Sequence, residues 1–116
     1  MTTARLQVPN RIVEGDVFKL RLLVQHPMDS GFLRDINGVL IKRNVIRHLT
    51  CTLNNQEIFR AEPTTGIAAN PLFEFYLRAV KSGEMYFRWV DDKANIGELR
   101  HPLTVLLANS SSAPKP

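Results

Sequence analysis

The sequence predicts an all-β protein that folds as an immunoglobulin-like antiparallel β-sandwich of about seven strands. Apolar and polar residues alternate with a period of two in Val17–Gln25 and in Leu72–Val80, which is typical of strands that bury one face. Asn54-Asn55 separates two further apolar segments, and both residues tolerate the positive φ angles of a two-residue hairpin. No helical periodicity persists long enough to compete with strands.

Turn-forming residues delimit the remaining strands. Lys81-Ser82-Gly83 is a predicted turn before the sixth strand, and Lys93–Gly97 is a predicted turn before the last one. Met85, Phe87 and Trp89 share one face of the sixth strand. The predicted strands are Ala4–Val8, Val17–Gln25, Val45–Leu53, Gln56–Ala61, Leu72–Val80, Glu84–Val90 and Leu99–Leu107.

Length and composition predict one globular domain at residues 1–107, followed by a disordered Ser- and Pro-rich tail at 108–116. The net charge of +4 does not indicate nucleic-acid binding, because Lys and Arg are spread over the strands instead of clustered. No apolar run reaches the length of a membrane span. The N-terminal residues lack the apolar core of a secretory signal, so the sequence taken alone predicts a cytoplasmic protein.

Cys51 is the single cysteine, so no disulfide can form within the chain. It shares a strand face with Leu49 and Leu53, which predicts a buried, inert thiol. The alternative, a reactive nucleophile, would need a cationic and partly exposed setting that this pattern does not offer.

Residues with catalytic or metal-binding chemistry are sparse. His26, His48 and His101 fall on three different strands without metal-ligand spacing, and a metal site that joins His26 to His48 across a sheet is the less favoured alternative. Asp91 and Asp92 end a strand before a turn, where turn chemistry is a simpler explanation than acid–base catalysis. There is no phosphate loop and no dinucleotide fingerprint. We therefore expect no enzyme, no metal and no cofactor.

The segment His26–Gly31, with the sequence His-Pro-Met-Asp-Ser-Gly, is the most informative motif. Pro27 removes a backbone donor and ends the strand, so a histidine and a thioether are delivered to the start of a long loop. Met28 suits an adaptable contact surface, and Arg43 on the far side of the loop can reach a carboxylate or carbonyl. We expect this segment to contact a partner. The alternative is that His26 and Arg43 only hold a long loop in place.

Four further motifs follow in order: Arg43-Asn44, Thr50-Cys51-Thr52, Ala69-Asn70-Pro71 and Trp89-Val90-Asp91-Asp92. With the His-Pro-Met segment, they resemble the SoxZ family, the non-carrier subunit of the SoxYZ complex of bacterial thiosulfate oxidation. The resemblance runs from about Val8 to Val105, which is nearly the whole chain.

The resemblance implies a non-catalytic subunit that forms a heterodimer or larger complex with a SoxY-like carrier, whose mobile arm holds sulfur intermediates on a cysteine. It also implies transient docking to other Sox enzymes. A periplasmic location is implied as well, reached by co-transport with a signal-bearing partner. The candidate partner-binding residues carried over from the family motifs are His26, Pro27, Met28, Gly31, Arg43, Asn44, Asn70, Pro71, Trp89 and Asp91.

The loop after the His-Pro-Met segment departs from the family, in which it is usually highly charged. Here it is apolar, through Phe32, Leu33, Ile36, Val39, Leu40 and Ile41. This composition indicates either packing of the loop onto a partner or different docking preferences. An independent β-sandwich module that binds a protein or ligand without sulfur chemistry is the alternative function.

Overall fold

The computed structural model describes residues 3–62 and 69–107, so the predicted tail at 108–116 lies outside the described residues. The strands are β1 (Ala4–Gln7), β2 (Val17–Val24), β3 (Ile46–Leu53), β4 (Gln56–Ala61), β5 (Leu72–Arg78), β6 (Gly83–Asp91) and β7 (Ile96–Leu103). The predicted all-β sandwich is confirmed. The described ranges contain no helix that is long and apolar enough to cross a membrane.

The strands form two antiparallel sheets that pack face to face. The first sheet has the order β1-β2-β5 and the second has the order β4-β3-β6-β7. Every second residue of β2 is buried, namely Phe18, Leu20, Leu22 and Val24, because alternate side chains of a strand point to opposite faces. These residues meet the buried face of the second sheet to make one core.

The hairpin between β3 and β4 forms as the sequence predicts. Asn54 and Asn55 both have positive φ angles, 51° and 69°, which suit the twist of a two-residue hairpin. The Asn54 side chain also accepts a hydrogen bond from the backbone N–H of Glu84 at 3.1 Å. It thereby ties this turn to the start of β6.

The predicted turn at Lys93–Gly97 is too long, because β7 begins at Ile96. Ala94 takes the positive φ angle of 64° that closes the turn, so the chain reverses without using Ile96 or Gly97. Gly97 pairs with Trp89 across the β6–β7 ladder, and a Cβ atom at position 97 would overlap the Trp89 indole. Gly97 is therefore a strand residue that makes room for tryptophan, and not a turn former.

The predicted burial of Cys51 is confirmed. Its side chain is 0% exposed, on the same face of β3 as Leu49 and Leu53. Burial raises the pKa of the Cys51 thiol to about 12, because the charged thiolate is poorly solvated in an apolar environment. The thiol is therefore protonated at neutral pH.

Candidate partner-binding site

The motifs of the sequence meet at one end of the sandwich. His26 follows β2, Asn70 and Pro71 precede β5, Asp91 ends β6, and Asn44 lies just before β3. In an antiparallel arrangement these strand ends lie side by side, although the residues are as many as 65 positions apart in the chain. The fold thus brings together segments that the sequence presents separately.

His26 joins the two sheets at this end. Its Nε2 lies 3.0 Å from Oδ2 of Asp91, and both side chains are only 3% exposed. Its Nδ1 accepts a hydrogen bond from the backbone N–H of Met28 at 2.9 Å. Since Nδ1 is an acceptor, Nε2 carries the proton and donates to the carboxylate. Both ring nitrogens are engaged, so His26 cannot ligate a metal together with His48 unless this network breaks.

Asp91 organises the turn that follows β6. Its Oδ1 accepts hydrogen bonds from the backbone N–H groups of Lys93 (3.0 Å) and Asn95 (2.8 Å), and its Oδ2 accepts one from the Asn95 side chain at 3.1 Å. Burial alone would raise the pKa of Asp91, but the hydrogen bonds from His26, Asn95 and Asn44 outweigh it and hold the pKa below its ordinary value. The buried carboxylate is therefore charged and fully used within the fold.

Asn70 continues the pairing of β2 with β5 beyond the regular ladder. Its backbone N–H donates to the carbonyl oxygen of His26 at 2.7 Å, and its Oδ1 accepts from the His26 N–H at 2.9 Å. The carbonyl of Pro71 accepts a further hydrogen bond from Val24 at 3.0 Å. Asn70 adopts a φ of 52°, a conformation that asparagine accepts more readily than most residues.

Met28 points into the core and does not lie at the surface. It is 5% exposed, and its sulfur atom accepts a hydrogen bond from the Ile46 N–H at 3.4 Å. Asp29 and Asn44 then close the base of the loop with two backbone hydrogen bonds of 2.9 and 2.8 Å. A Cβ atom at Gly31 would come within 3.1 Å of the Arg43 Cβ. The two ends of the loop are thus in close contact.

Partner binding by the ten candidate residues stays a prediction, but their exposure differs. Six of them are buried and hold the end of the sandwich together: His26, Met28, Asn44, Pro71, Trp89 and Asp91. The other four, Pro27, Gly31, Arg43 and Asn70, are exposed or half-exposed and form a rim around that end. Arg43 lies 3.5 Å from Asp92, which also lies 3.7 Å from Arg47. Two guanidinium groups share one carboxylate, so this rim is cationic.

The loop between the two anchored ends is a small hairpin, residues 32–41, which we call the apolar hairpin. Arg34 and Leu40 pair as an antiparallel bridge, and the Ile41 N–H donates to the Leu33 carbonyl at 2.9 Å. At its tip, Oδ1 of Asp35 accepts hydrogen bonds from the N–H groups of Asn37 (2.8 Å) and Val39 (3.0 Å). The backbone is therefore ordered by its own hydrogen bonds.

Five large apolar side chains of this hairpin face solvent. Ile36 is 100% exposed and Phe32 is 82% exposed. Leu33, Val39 and Leu40 complete the group. The apolar composition of the loop is evident from the sequence, but the hairpin was not predicted, although Asp35 and the turn former Gly38 signal a turn there. The role of Asn95 was not predicted either, because it depends on contact with Asp91.

Among residues 3–62 and 69–107, no group of three or more His, Cys, Asp or Glu side chains is placed to hold a metal ion. His48, the proposed second ligand of the less favoured metal site, instead lies 3.4 Å from Glu62 at the surface.

Comparison with solved structures shows the same fold in proteins of low sequence identity. The superoxide reductase (neelaredoxin) of Ignicoccus hospitalis has a TM-score of 0.63 and 20% identity over 89% of this chain and 80% of that chain. A superoxide reductase of Thermotoga maritima, so described provisionally, has a TM-score of 0.65 and 13% identity over 88% and 84%. The sulfur carrier protein SoxY of Chlorobium limicola has a TM-score of 0.57 and 7% identity over 88% and 77%.

No curated protein is similar enough in sequence to count as a relative. The family model of the sulphur oxidation protein SoxZ, in contrast, matches residues 6–101. That range contains all five motifs and both sheets, with the exception of the outermost residues of β1 and β7. The chain belongs to the SoxZ family of sulfur-oxidation proteins.

Proposed function

We propose that this chain is the non-catalytic subunit of a covalent sulfur carrier, and that the apolar hairpin binds a SoxY-like carrier subunit in periplasmic thiosulfate oxidation. The observation that carries the proposal is the exposure of five large apolar side chains on an ordered hairpin in a SoxZ family member. Exposed apolar groups that are contiguous and rigidly presented mark protein contacts more often than chance.

The geometry of the hairpin favours a tight contact. Because Asp35 already fixes the backbone of the tip, little conformational entropy is lost when a partner binds. The hairpin and the residues that follow it carry more positive than negative charge, with Arg34, Lys42, Arg43 and Arg47 against Asp35 and Asp92. The complementary surface is an apolar groove bordered by carboxylates.

The chemistry of the chain favours a non-catalytic role within the carrier complex. Cys51 is buried and its pKa is raised to about 12, so its thiol cannot carry a sulfur intermediate. The cysteine that carries sulfur then belongs to the partner. We assign transient docking of other Sox enzymes to the exposed rim of Pro27, Gly31, Arg43 and Asn70, beside the hairpin.

We also place the complex in the periplasm, which this subunit reaches by co-transport with a signal-bearing partner. The single thiol is compatible with that compartment, because a buried and protonated cysteine does not exchange with external disulfides. Localisation of the tagged chain with and without the co-expressed partner tests this assignment. Periplasmic recovery that is independent of the partner would contradict co-transport.

The test of the hairpin is a double substitution, Phe32→Ser with Ile36→Ser. We expect affinity for the SoxY-like subunit to fall at least about tenfold, since burial of each side chain contributes ~1.5–3 kcal/mol, while the melting temperature stays unchanged. The matched control is Val17→Ser with Val80→Ser, which removes exposed apolar groups at the opposite end. Isothermal titration calorimetry measures affinity, and turnover of thiosulfate by the reconstituted system measures function.

Two outcomes would contradict the proposal. If the hairpin variant binds the SoxY-like subunit as tightly as the unmodified chain, the contact lies elsewhere. If the unmodified chain is a stable monomer that does not bind that subunit at all, the alternative of an independent binding module takes its place.

A further inference from the structure

A cleft of about 310 Å³ lies at the end of the sandwich opposite the apolar hairpin. It is formed where β2 begins, where β3 and β5 end, and where β7 ends. The candidate partner-binding site uses the other ends of these strands. We call this feature the basal cleft, and it takes no part in the proposed function above.

The interior of the basal cleft is apolar. One wall comes from the first sheet and the other from the second, so the cleft opens into the gap between the two layers. Its apolar lining comprises Phe18, Leu53, Ile58, Leu77, Val80 and Leu103. Three of these, Phe18, Leu53 and Leu103, also belong to the buried core. An apolar chain that entered the cleft would extend the core outward.

The mouth of the basal cleft is cationic. Arg78 and Lys81 are among its lining residues, and no carboxylate is among them. The Arg78 guanidinium is held in place by a hydrogen bond from Nη1 to the Gly15 carbonyl at 2.9 Å. Within residues 3–62 and 69–107, neither Arg78 nor Lys81 forms an ion pair. Both charges are available to a ligand.

We propose that the basal cleft binds a small amphipathic anion, with a short apolar chain between the sheets and a single carboxylate at Lys81 and Arg78. Small-ligand sites of about 300–1,000 Å³ are typical, with mostly apolar walls and a few polar groups that orient the ligand. The volume of the basal cleft, about 310 Å³, lies at the lower end of that range. It therefore matches the size of a small-molecule site.

The experiment is a titration of the full chain with octanoate. Binding is detected by changes in the backbone amide NMR shifts and by calorimetry. Two compounds of equal chain length, 1-octanol and octyltrimethylammonium, separate the apolar contribution from the charge. We expect saturable octanoate binding with shifts confined to the basal cleft, weaker binding of octanol, and no binding of the cation.

Two substitutions at the mouth test the assignment with little risk to folding. Val80→Asp and Lys81→Glu change exposed residues, and we expect each to weaken octanoate binding at least tenfold. Lys81→Glu should leave octanol binding unchanged. The matched controls are Ile96→Asp and Lys93→Glu, which make the same kinds of change at exposed positions near the opposite end.

Three results would overturn the proposal: octanoate shifts that are centred on the apolar hairpin, equal affinity for octanoate and octyltrimethylammonium, or undiminished octanoate binding by the Lys81→Glu variant.

Discussion

The connection between β2 and β3 contains two regions that oppose each other in burial and polarity. Its ends, His26–Gly31 and 43–45, which we call the anchor, bury a histidine and an asparagine beside Asp91. Its middle, the apolar hairpin, exposes phenylalanine, leucine and isoleucine to solvent. The polar residues thus stabilise the fold and the apolar residues are free for contact. A polar motif in a loop is therefore not by itself a sign of a binding surface.

Removal of the carboxylate that bonds to the anchor should have the largest effect. Asp91→Ala leaves His26 and the N–H groups of Lys93 and Asn95 without an acceptor. We expect a loss of roughly 3 kcal/mol or more in the free energy of unfolding, because each buried donor left without an acceptor costs ~1–3 kcal/mol. Urea denaturation followed by circular dichroism measures it. A loss below about 1 kcal/mol would mean that the anchor is not held by this carboxylate.

Acid should weaken the anchor selectively. The pKa of Asp91 is lowered in the folded state, so the carboxylate contributes stability above its ordinary pKa of 3.8. That contribution is lost as the pH falls through the folded pKa. Asp91→Asn removes the titration, and we expect its free energy of unfolding to decline less than that of the unmodified chain between pH 5 and the acid transition. Parallel pH curves for the two proteins would contradict this expectation.

Substitution of one glycine in each region allows a direct comparison of their packing. Gly31 in the anchor and Gly38 in the hairpin both have positive φ angles, 92° and 79°. A Cβ atom at Gly31 would lie 3.1 Å from the Arg43 Cβ, whereas nothing lies within 4 Å at Gly38. Backbone strain should destabilise both alanine variants by ~1–2 kcal/mol. We expect Gly31→Ala to lose more stability, because its new Cβ atom also crowds Arg43. Thermal melting ranks the two, and an equal or reversed order would show that the anchor is loosely packed at Arg43.

Cys51 lies outside both regions and supplies a reference for the core. We expect Cys51→Ala to cost roughly 1 kcal/mol of stability and to leave thiosulfate-dependent turnover of the reconstituted complex intact. In the unmodified chain, the thiol should react with Ellman's reagent only after denaturant is added, because it is buried and protonated. Loss of turnover by a folded variant would make Cys51 a chemical participant.

The smallest effect on stability is expected in the hairpin. Ile36 is 100% exposed, so Ile36→Asp should change the free energy of unfolding by no more than about 0.5 kcal/mol. Self-association of the isolated chain should decrease with the same substitution, since the most exposed apolar side chain of the hairpin is lost. Sedimentation velocity at increasing concentration measures this. A destabilised Ile36→Asp variant would mean that the hairpin packs on the domain and is not a free surface.

The sequence by itself determined the features that depend on neighbouring residues. The alternation of apolar and polar residues in β2 and β5 predicted which strand faces are buried. Asn54-Asn55 predicted a hairpin, and the strand face of Cys51 predicted its burial in the core. Each depends on chain geometry within a few residues, where strand period and φ preference act directly. Five short motifs in order were also sufficient to recognise the family.

Only the tertiary structure decided what the motif residues do. His26 and Met28 lie where a strand gives way to a loop, a position that favours exposure, yet both are buried. Asp91 at the end of β6 bonds to His26, and the N–H of Ile46 in β3 donates to the Met28 sulfur. Gly97 is a turn former by sequence pattern, but in the structure it is a strand residue that leaves room for the Trp89 indole. These outcomes depend on contacts between residues that are distant in the chain, and their energy comes from burial and from the hydrogen bonds that buried polar groups must find. No local pattern contains that information.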